Sequence, residues 1–428
     1  MSPDGNRGGP DGEAAGEAAG APALDLDFVR AQFPAFDAGG DDVVFMENAG
    51  GSYAARATVE RLTRFYTCTK VQPYGPFRAS AEAGQAMDDA RARLAALMGV
   101  GPDEVLIGPS TTQNAYVLAQ AVGEMLAEGD EIVVTNQDHE ANTGAWRRLA
   151  RRGIAVREWQ VDPATGHLDP AALRGLLTDR TRLVAFPHAS NIVAEINPVA
   201  EIAAIAREAG AITVVDGVSA APHGLPDMPA LGADIYLFSA YKTYGPHQGV
   251  MVVRRDVNAR LPNQGHHFND GSPEKRLVPA GPDHAQIAAM AGVADYMDAL
   301  HAHHFVSGEN DPAARARAVA GLMRGQEKRL TARLLDYLAT RPDLRLLGPG
   351  DPERRASTIA LAHTRRGEDL AEALAREGIG AGGGDFYAGR VIEAMGVDPA
   401  HGVLRLSFLH YTTEDEIDRV IAALDRVL

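Results

Sequence analysis

The feature that most limits the possible folds is a regular alternation of strand-like and helix-like segments between Val105 and Val253. Short apolar runs typical of buried strands are separated by segments in which apolar residues recur at helical spacing. One such segment would place Leu118 and Val122 on a single helix face, and the segment 199–206 would form another apolar face. This alternation is typical of a mainly parallel sheet covered by helices on both faces. The sequence therefore predicts an α/β fold with a large domain built on that sheet.

Charged side chains stand at the ends of two predicted strands. The apolar run Ile235–Phe238 is followed closely by Lys242, and the run Ile212–Val215 ends in Asp216. Ligands of open α/β sheets bind at the carboxyl ends of the strands. A single loop lysine is most often a solvated residue, but the polar residues at the other strand ends favour a functional lysine.

Three further predicted strands end in polar residues that suit the same site. The run Val105–Gly108 precedes Thr111 and Thr112 at the start of a helix, where backbone N–H groups bind anions. His139 and Asn191 follow two other strands. An amine, a carboxylate, an imidazole and an anion-binding helix end are what pyridoxal phosphate requires. The lysine would hold its aldehyde as a Schiff base, and the aspartate would keep its pyridine nitrogen protonated.

With these motifs in this order, the sequence from about Val44 to Leu428 resembles the fold-type I pyridoxal phosphate enzymes of the class V aminotransferase family, nearest to the cysteine desulfurase-like branch. The resemblance implies a large domain with a mainly parallel, seven-stranded-type sheet and a small α+β C-terminal domain. It implies that the catalytic residues are Lys242, His139 and Asp216. It adds, as cofactor-binding residues, Thr111, Thr112, Asn191, Ser219, Ser239 and Tyr241, and as substrate-binding residues Arg405, Asn48 and Tyr387.

Each role that the resemblance implies has a physical reason. His139 would stack on the cofactor ring, and Asn191 would lie near the phenolic oxygen of the cofactor. Ser239 would join the two threonines at the phosphate. Arg405 would present a planar guanidinium to the substrate carboxylate, which such a group binds through two parallel hydrogen bonds.

The sequence also departs from the desulfurase pattern around the cofactor. Desulfurases carry a histidine immediately before the lysine, where this chain has Tyr241. Many carry a glutamine three residues after the aspartate, where this chain has Ser219, which donates a single hydrogen. A phosphate-binding threonine that the other subunit usually contributes is replaced near Gly281 and Pro282. We therefore expect that the protein contacts the cofactor differently at these positions but still binds it.

The loop that carries the persulfide-forming cysteine in desulfurases corresponds to Gly380–Ala388, which contains no cysteine. Its Phe386 or Tyr387 could close over a substrate. Cys68 is the single cysteine of the chain, and its helical setting predicts a packed, inert thiol. Asn48 lies in a glycine-containing segment that borders the substrate pocket in the family, although a tight turn explains those glycines equally well.

The chain is expected to divide into four parts. These are a disordered tail at 1–23, rich in Gly, Ala, Pro and acidic residues, an N-terminal segment at 24–57 that packs with the small domain, a large cofactor domain at 58–300, and a small domain at 301–428. Around the last boundary, Pro282–His301 is predicted to be one long helix. His301–Ala316 is predicted to be a polar insertion, followed by a helix over Val319–Thr340.

Charge and cysteine content predict the setting and the partners. The net charge of −16 argues against nucleic acid and anionic membranes as partners. A single cysteine favours a reducing compartment, and no run of about 18 apolar residues suggests a membrane span. We expect a cytoplasmic protein with a small-molecule amino-acid substrate, and the resemblance implies a homodimer.

Other kinds of site fit the sequence less well. Lys242 lacks the preceding glycines of a P-loop, and no GxGxxG follows a predicted strand. The histidines near 266 and 301 lack cysteine or paired-carboxylate partners, so no metal site is predicted.

The sequence leaves three reactions open, all of which begin with removal of the α-proton. Elimination or carbon–sulfur cleavage without a protein persulfide ranks first, transamination second and epimerisation third. A pyridoxal phosphate-binding protein without turnover is the alternative from another class, which the presence of Lys242, Asp216 and Arg405 disfavours.

Overall fold

The computed structural model describes residues 22–37, 43–306 and 308–428. The predicted disordered tail lies outside these ranges except for its last two positions. Within the described ranges, no helix combines the length and the apolar character needed to span a bilayer.

The strands in chain order are β1 Val44–Phe45, β2 Val105–Gly108, β3 Glu131–Thr135, β4 Ala155–Trp159, β5 Thr181–Pro187, β6 Ile212–Asp216, β7 Ile235–Ser239, β8 Gly249–Val253, β9 Arg345–Leu347, β10 Thr358–Ala362, β11 Ile379–Gly380, β12 Gly382–Gly384 and β13 Val403–Ser407.

The α-helices in chain order are α1 Leu26–Ala31, α2 Arg56–Cys68, α3 Arg78–Met98, α4 Thr111–Met125, α5 Glu140–Arg147, α6 Pro170–Leu176, α7 Val199–Glu208, α8 Met228–Leu231, α9 Arg255–Arg260, α10 His284–Ala289, α11 Ala291–His304, α12 Pro312–Leu338, α13 Gly367–Arg376, α14 Gly389–Ala394 and α15 Glu414–Val427.

A seven-stranded sheet forms the centre of the molecule, with the strand order β2-β8-β7-β6-β5-β3-β4. Strand β8 is antiparallel to both of its neighbours, and the other pairs are parallel. The helices that connect the parallel strands cover the sheet. This arrangement confirms the predicted fold class.

The strands bury both of their faces, which explains their nearly continuous apolar sequences. In β7, Ile235 and Leu237 belong to one hydrophobic cluster, whereas Tyr236 and Phe238 belong to another. Successive side chains of a strand point to opposite faces. Each face of the sheet therefore has its own core, and neither could be left to solvent without loss of burial energy.

The C-terminal part forms a smaller antiparallel sheet in the order β12-β13-β10-β9, against which α13 and α15 pack. The N-terminal strand β1 pairs in parallel with β11. Helix α12 contacts α3 and α11 as well as α15, so it joins this part to the helices beside the large sheet.

Two predicted helix boundaries differ from the structure. The segment predicted as one helix, Pro282–His301, forms α10 and α11 with a break at Met290. The predicted polar insertion ends early because α12 already begins at Pro312. The Asp311 carboxylate accepts hydrogen bonds from the N–H groups of residues 313 and 314, and proline at the first helical position suits this start.

Candidate active site

Asp216 and Lys242 lie in the same cavity because they stand at the carboxyl ends of neighbouring parallel strands. Asp216 is the last residue of β6, and Lys242 ends the short 3-10 turn that follows β7. The two strands pair from Val214 and Ile235 onward. Both side chains line one hollow, which we call the Asp216 cavity.

All nine residues predicted to bind the cofactor line the Asp216 cavity. They are Thr111, Thr112, His139, Asn191, Asp216, Ser219, Ser239, Tyr241 and Lys242. An adjoining hollow, which we call the Arg405 cavity, shares Lys242 and His139 with it and is also lined by Tyr387 and Arg405.

Asp216 is a buried carboxylate at the inner end of the site, with 4% of its surface exposed. Its Oδ1 atom accepts a hydrogen bond of 2.8 Å from the N–H of Val218. Burial raises the pKa of Asp216 to about 6, although that hydrogen bond and the charge of Lys242 act in the opposite direction. Its ionised form therefore favours a cationic partner.

Lys242 is mostly removed from water. Burial lowers its pKa to about 8, and the positive charge of Arg405 adds to this effect. Asp216 and Glu47 oppose the shift. A larger fraction of Lys242 is therefore an uncharged amine near neutral pH than of an exposed lysine, as a nucleophile or a general base requires.

The N-terminus of α4 forms the polar end of the Asp216 cavity. Ser110 caps the helix by accepting a hydrogen bond from the N–H of Gln113, and the hydroxyls of Thr111 and Ser239 are 2.8 Å apart. The start of β8 lies against this turn, since a Cβ atom added at Gly249 would lie 2.4 Å from the Thr111 nitrogen. Hydroxyls and a helix N-terminus at one end of a cavity can bind a phosphate.

His139 caps α5 and is held in one tautomer. Its Nδ1 atom accepts a hydrogen bond of 3.0 Å from the N–H of Ala141, so the neutral ring carries its hydrogen on Nε2. Burial, followed by the charges of Lys242 and Arg405, lowers the pKa of His139 to about 4. The ring is thus neutral near pH 7, which suits stacking on an aromatic cofactor.

Asp138, which directly precedes His139, was not predicted as a site residue. It lines the Asp216 cavity, and its carboxylate accepts hydrogen bonds from Asn142 Nδ2 at 2.6 Å and from the N–H of His139 at 2.9 Å. Burial and the negative charge of Asp216 raise its pKa well above the usual range. Its position in the sequence could have indicated this role, since it lies in the same segment after β3 as His139.

Tyr241 and His247 form a stacked pair at the Asp216 cavity. Their ring centroids lie 4.6 Å apart, and their planes differ by 4°. Tyr241 was predicted as a site residue, whereas His247 was not. The turn between β7 and β8, which contains Gly245 and Pro246, brings the second ring back over the first.

Arg405 lies in the middle of β13 and is almost fully buried. Its Nη2 atom is 2.5 Å from Glu47 Oε1, and its Cζ atom lies 3.8 Å from the ring centroid of Phe386. Burial lowers the pKa of Arg405, and Glu47 opposes this shift. Glu47 was not predicted as a site residue.

Asn48 is not among the residues that line the two cavities, whereas its neighbour Glu47 lines one of them. The Asn48 side chain donates to the backbone oxygens of Phe45 and Ser407 and accepts a hydrogen bond from the hydroxyl of Tyr411. These bonds use its amide to fasten the turn to β13. The structure thus brings Arg405 and Tyr387, but not Asn48, to the lining of the Arg405 cavity.

The loop after β12 lies over the Arg405 cavity. Asn191 Nδ2 donates to the backbone oxygen of Phe386 at 3.0 Å, and the N–H of Glu140 donates to that of Tyr387 at 2.8 Å. Both aromatic residues have positive φ angles, 51° and 57°, which cost energy in residues other than glycine. Tyr387 is 74% exposed.

Cys68 corrects one prediction. It ends α2, as the helical pattern indicates, but its side chain is exposed rather than packed. The buried residues of this helix are Thr58 and Phe65, so the core-facing stripe ends before its last residue. Cys68 does not line the Asp216 or Arg405 cavity.

Comparison with known proteins gives one consistent family. The family described as Aminotransferase class-V matches residues 44–420. The aminotransferase-like protein FGM3 of Gibberella zeae is 34% identical, over 95% of this chain and 99% of that protein. A probable cysteine desulfurase of Halobacterium salinarum is 31% identical, over 94% of this chain and 96% of that protein. The solved structure of a cysteine desulfurase from Thermococcus onnurineus has the same fold, with a TM-score of 0.82, 23% identity and coverage of 94% of this chain and 98% of that one.

Proposed function

Because this chain belongs to the class V aminotransferase family, we propose that it catalyses elimination or carbon–sulfur cleavage on an amino acid, without a protein persulfide. The family makes the chain a pyridoxal phosphate-dependent enzyme of amino-acid chemistry. The observation that carries the finer proposal is the loop after β12, in which Phe386 rather than a thiol contacts the buried Arg405.

The residues of the Asp216 cavity suit the cofactor chemically. The buried Asp216 carboxylate accepts one backbone hydrogen bond and keeps acceptor capacity for the N–H of a pyridinium ring. The cradle between Ser110, Thr111 and Ser239 offers hydroxyls and helix N–H groups to a phosphate. The Lys242 amine, with its lowered pKa, would hold the aldehyde. When bound, the cofactor supplies an electron sink for negative charge at the substrate's α-carbon.

We assign the proton transfers to Lys242. With the substrate amine bound in its place, the Lys242 amine would remove a proton from the α-carbon and return one to the product. Its pKa of about 8 lies close to working pH, where a general base is most effective.

The other site residues would orient the reactants. Asp216 would keep the ring nitrogen protonated, and His139 would stack on the ring as a neutral group. Arg405 would bind the carboxyl end of the substrate and so fix the bond that breaks at the α-carbon. Asn191 would donate its second amide hydrogen to the phenolic oxygen, since the first is given to Phe386.

A persulfide relay requires a thiolate that reaches the substrate sulfur. The phenol of Tyr387 cannot form a persulfide, and Cys68 is the single thiol of the chain. Transamination is the second candidate, because it begins with the same proton transfer and FGM3 is named aminotransferase-like. Epimerisation would need a second acid on the opposite face of the substrate.

Two measurements test the proposal. Borohydride reduction followed by peptide mapping should leave a pyridoxyl group on Lys242. Product analysis with a panel of amino acids should then give an oxoacid with ammonia or a sulfur product for elimination, an amino-group transfer for transamination, or the opposite enantiomer for epimerisation. A pyridoxyl group on Lys242 without any product would favour a cofactor-binding protein that lacks turnover.

We further propose a cytoplasmic homodimer with a large domain at 58–300, a small domain at 301–428 and an N-terminal segment at 24–57 that packs with the small domain. The exposed side chains of Tyr66 and Val71 line a hollow together with Pro282 and support a subunit contact there. Light scattering at micromolar concentration that gives a monomer with full activity would contradict it.

A further inference from the structure

Arg405 already has a carboxylate partner within its own chain. Its side chain is 4% exposed, and that of Glu47, at 2.5 Å, is 29% exposed. Both residues line the Arg405 cavity beside Lys242. The substrate side of the site therefore presents an ion pair without net charge rather than an unpaired cation.

The fold leaves specific room for the Glu47 carboxylate. A Cβ atom added at Gly50 would lie 2.9 Å from Glu47 Oε1, and one added at Gly382 would lie 2.6 Å from Oε2. A side chain at either position would therefore displace the carboxylate. Two segments that are far apart in sequence therefore each place a glycine beside the Glu47 carboxylate. The ring of Phe386 covers one face of the Arg405 guanidinium.

The pair leaves two nitrogens of Arg405 with spare donors, because the buried Nε atom has no hydrogen-bond partner among the described residues and Nη1 has only a long one. Its Nη1 atom donates to the backbone oxygen of Asn191 at 3.4 Å, which is long for a hydrogen bond. A carbonyl oxygen could accept from Nη1 at normal distance without disturbing Glu47. A carboxylate would instead bring a second negative charge next to Glu47, or would have to displace it from a largely buried pair.

We propose that Glu47 is a specificity-determining residue that makes the site prefer an α-amino acid amide or ester, whose carbonyl is uncharged, over the free amino acid. This inference rests on the proposed function, because it requires that the substrate amine bind to a cofactor held by Lys242. The uncharged carbonyl would receive the hydrogen bond from Arg405, and Glu47 would remain the counter-ion.

The test compares two ligands that cannot react further, 2-aminoisobutyrate and its carboxamide, since neither has an α-hydrogen. Their dissociation constants are measured by titrating the absorbance of the cofactor-loaded protein, with correction for the fraction of unprotonated amine. We expect the wild type to bind the carboxamide more tightly by at least about tenfold, or about 1.4 kcal/mol. Glu47→Gln should shift the ratio toward the carboxylate by a similar factor, because it removes the competing charge.

Two variants control for indirect effects. Glu140→Gln removes another carboxylate that lines the Arg405 cavity. The Glu140 carboxylate lies 3.5 Å from Arg390 rather than beside Arg405, so this variant should leave the ratio of the two dissociation constants unchanged. Glu47→Asp keeps the charge but shortens the side chain, so its ratio should be intermediate. It also serves as the test if the glutamine variant does not fold.

The outcomes separate the two proposals. A wild type that prefers the free carboxylate, or a ratio that neither Glu47 variant changes, would overturn the role of Glu47 while Lys242 still carries the cofactor. If borohydride fixed no cofactor on Lys242 in the wild type, the proposed function would fail, and this inference with it.

Discussion

The substitution Asp216→Asn should change stability and cofactor affinity in opposite directions. Without the cofactor, the buried Asp216 carboxylate has no fully charged hydrogen-bond partner, and burial raises its pKa from 3.8 to about 6. A rise of about 2 pKa units corresponds to about 3 kcal/mol of cost for ionising this group in the folded protein. Asparagine keeps the shape and avoids that cost.

The sign of the pH dependence follows from linkage. Because the folded-state pKa is raised, the protonated carboxyl favours folding below about pH 4, and this contribution is lost as the pH rises through about 6. At pH 7.5, Asp216→Asn should therefore increase the free energy of unfolding of the cofactor-free protein by up to about 3 kcal/mol. Near pH 4 the gain should be much smaller.

Cofactor affinity should fall at the same time. The asparagine loses the charge-assisted bond to the pyridinium, worth about 1.5–3 kcal/mol, so the dissociation constant should rise by about 10- to 100-fold. Denaturant unfolding at the two pH values and titration with pyridoxal phosphate measure both effects. Asp256→Asn is the control, because hydrogen bonds from Arg254 lower the pKa of Asp256 to about 2 and no stability gain is expected. An Asp216→Asn protein with unchanged stability at pH 7.5 and unchanged cofactor affinity would refute the reasoning.

Three further substitutions test the site. Lys242→Ala should remove or shift the absorbance of bound cofactor to that of the free aldehyde, and an unchanged spectrum with full activity would rule out Lys242 as its attachment point. Cys68→Ala should retain turnover although the thiol is exposed, whereas loss of sulfur release together with a persulfide on wild-type Cys68 would restore a desulfurase relay. Arg405→Ala should weaken binding of substrate analogues by about 3 kcal/mol, since a hydrogen bond to a charged group is lost, and unchanged dissociation constants would show that the substrate binds elsewhere.

The sequence could predict most of the lining of the Asp216 cavity because that cavity is built from strand ends. Apolar runs mark β6 and β7, and the first polar residues after them, Asp216 and Lys242, must lie at one edge of a parallel sheet. Thr111, at the start of α4, likewise follows an apolar run, β2. Local pattern and sheet geometry together decide these positions.

The lining of the Arg405 cavity could not be predicted in the same way, because it depends on which side chains of a turn point inward. Asn48 was predicted to bind the substrate, but its amide donates a hydrogen bond to the backbone oxygen of Ser407 in β13. In the same turn, the longer side chain of Glu47 reaches Arg405 instead. These partners are 358 residues apart. The exposure of Cys68 likewise depends on where the core-facing stripe of α2 ends.

The charges of the two cavities act together on Lys242. Its pKa is lowered because burial and Arg405 outweigh the opposing carboxylates of Asp216 and Glu47. A pyridinium partner at Asp216 would offset one of those carboxylates and so favour the uncharged amine further. A substrate that left the pair of Glu47 and Arg405 intact would add no new negative charge, whereas a free carboxylate would raise the pKa of the lysine again. An uncharged carbonyl is therefore the group that best preserves Lys242 as a base during proton transfer.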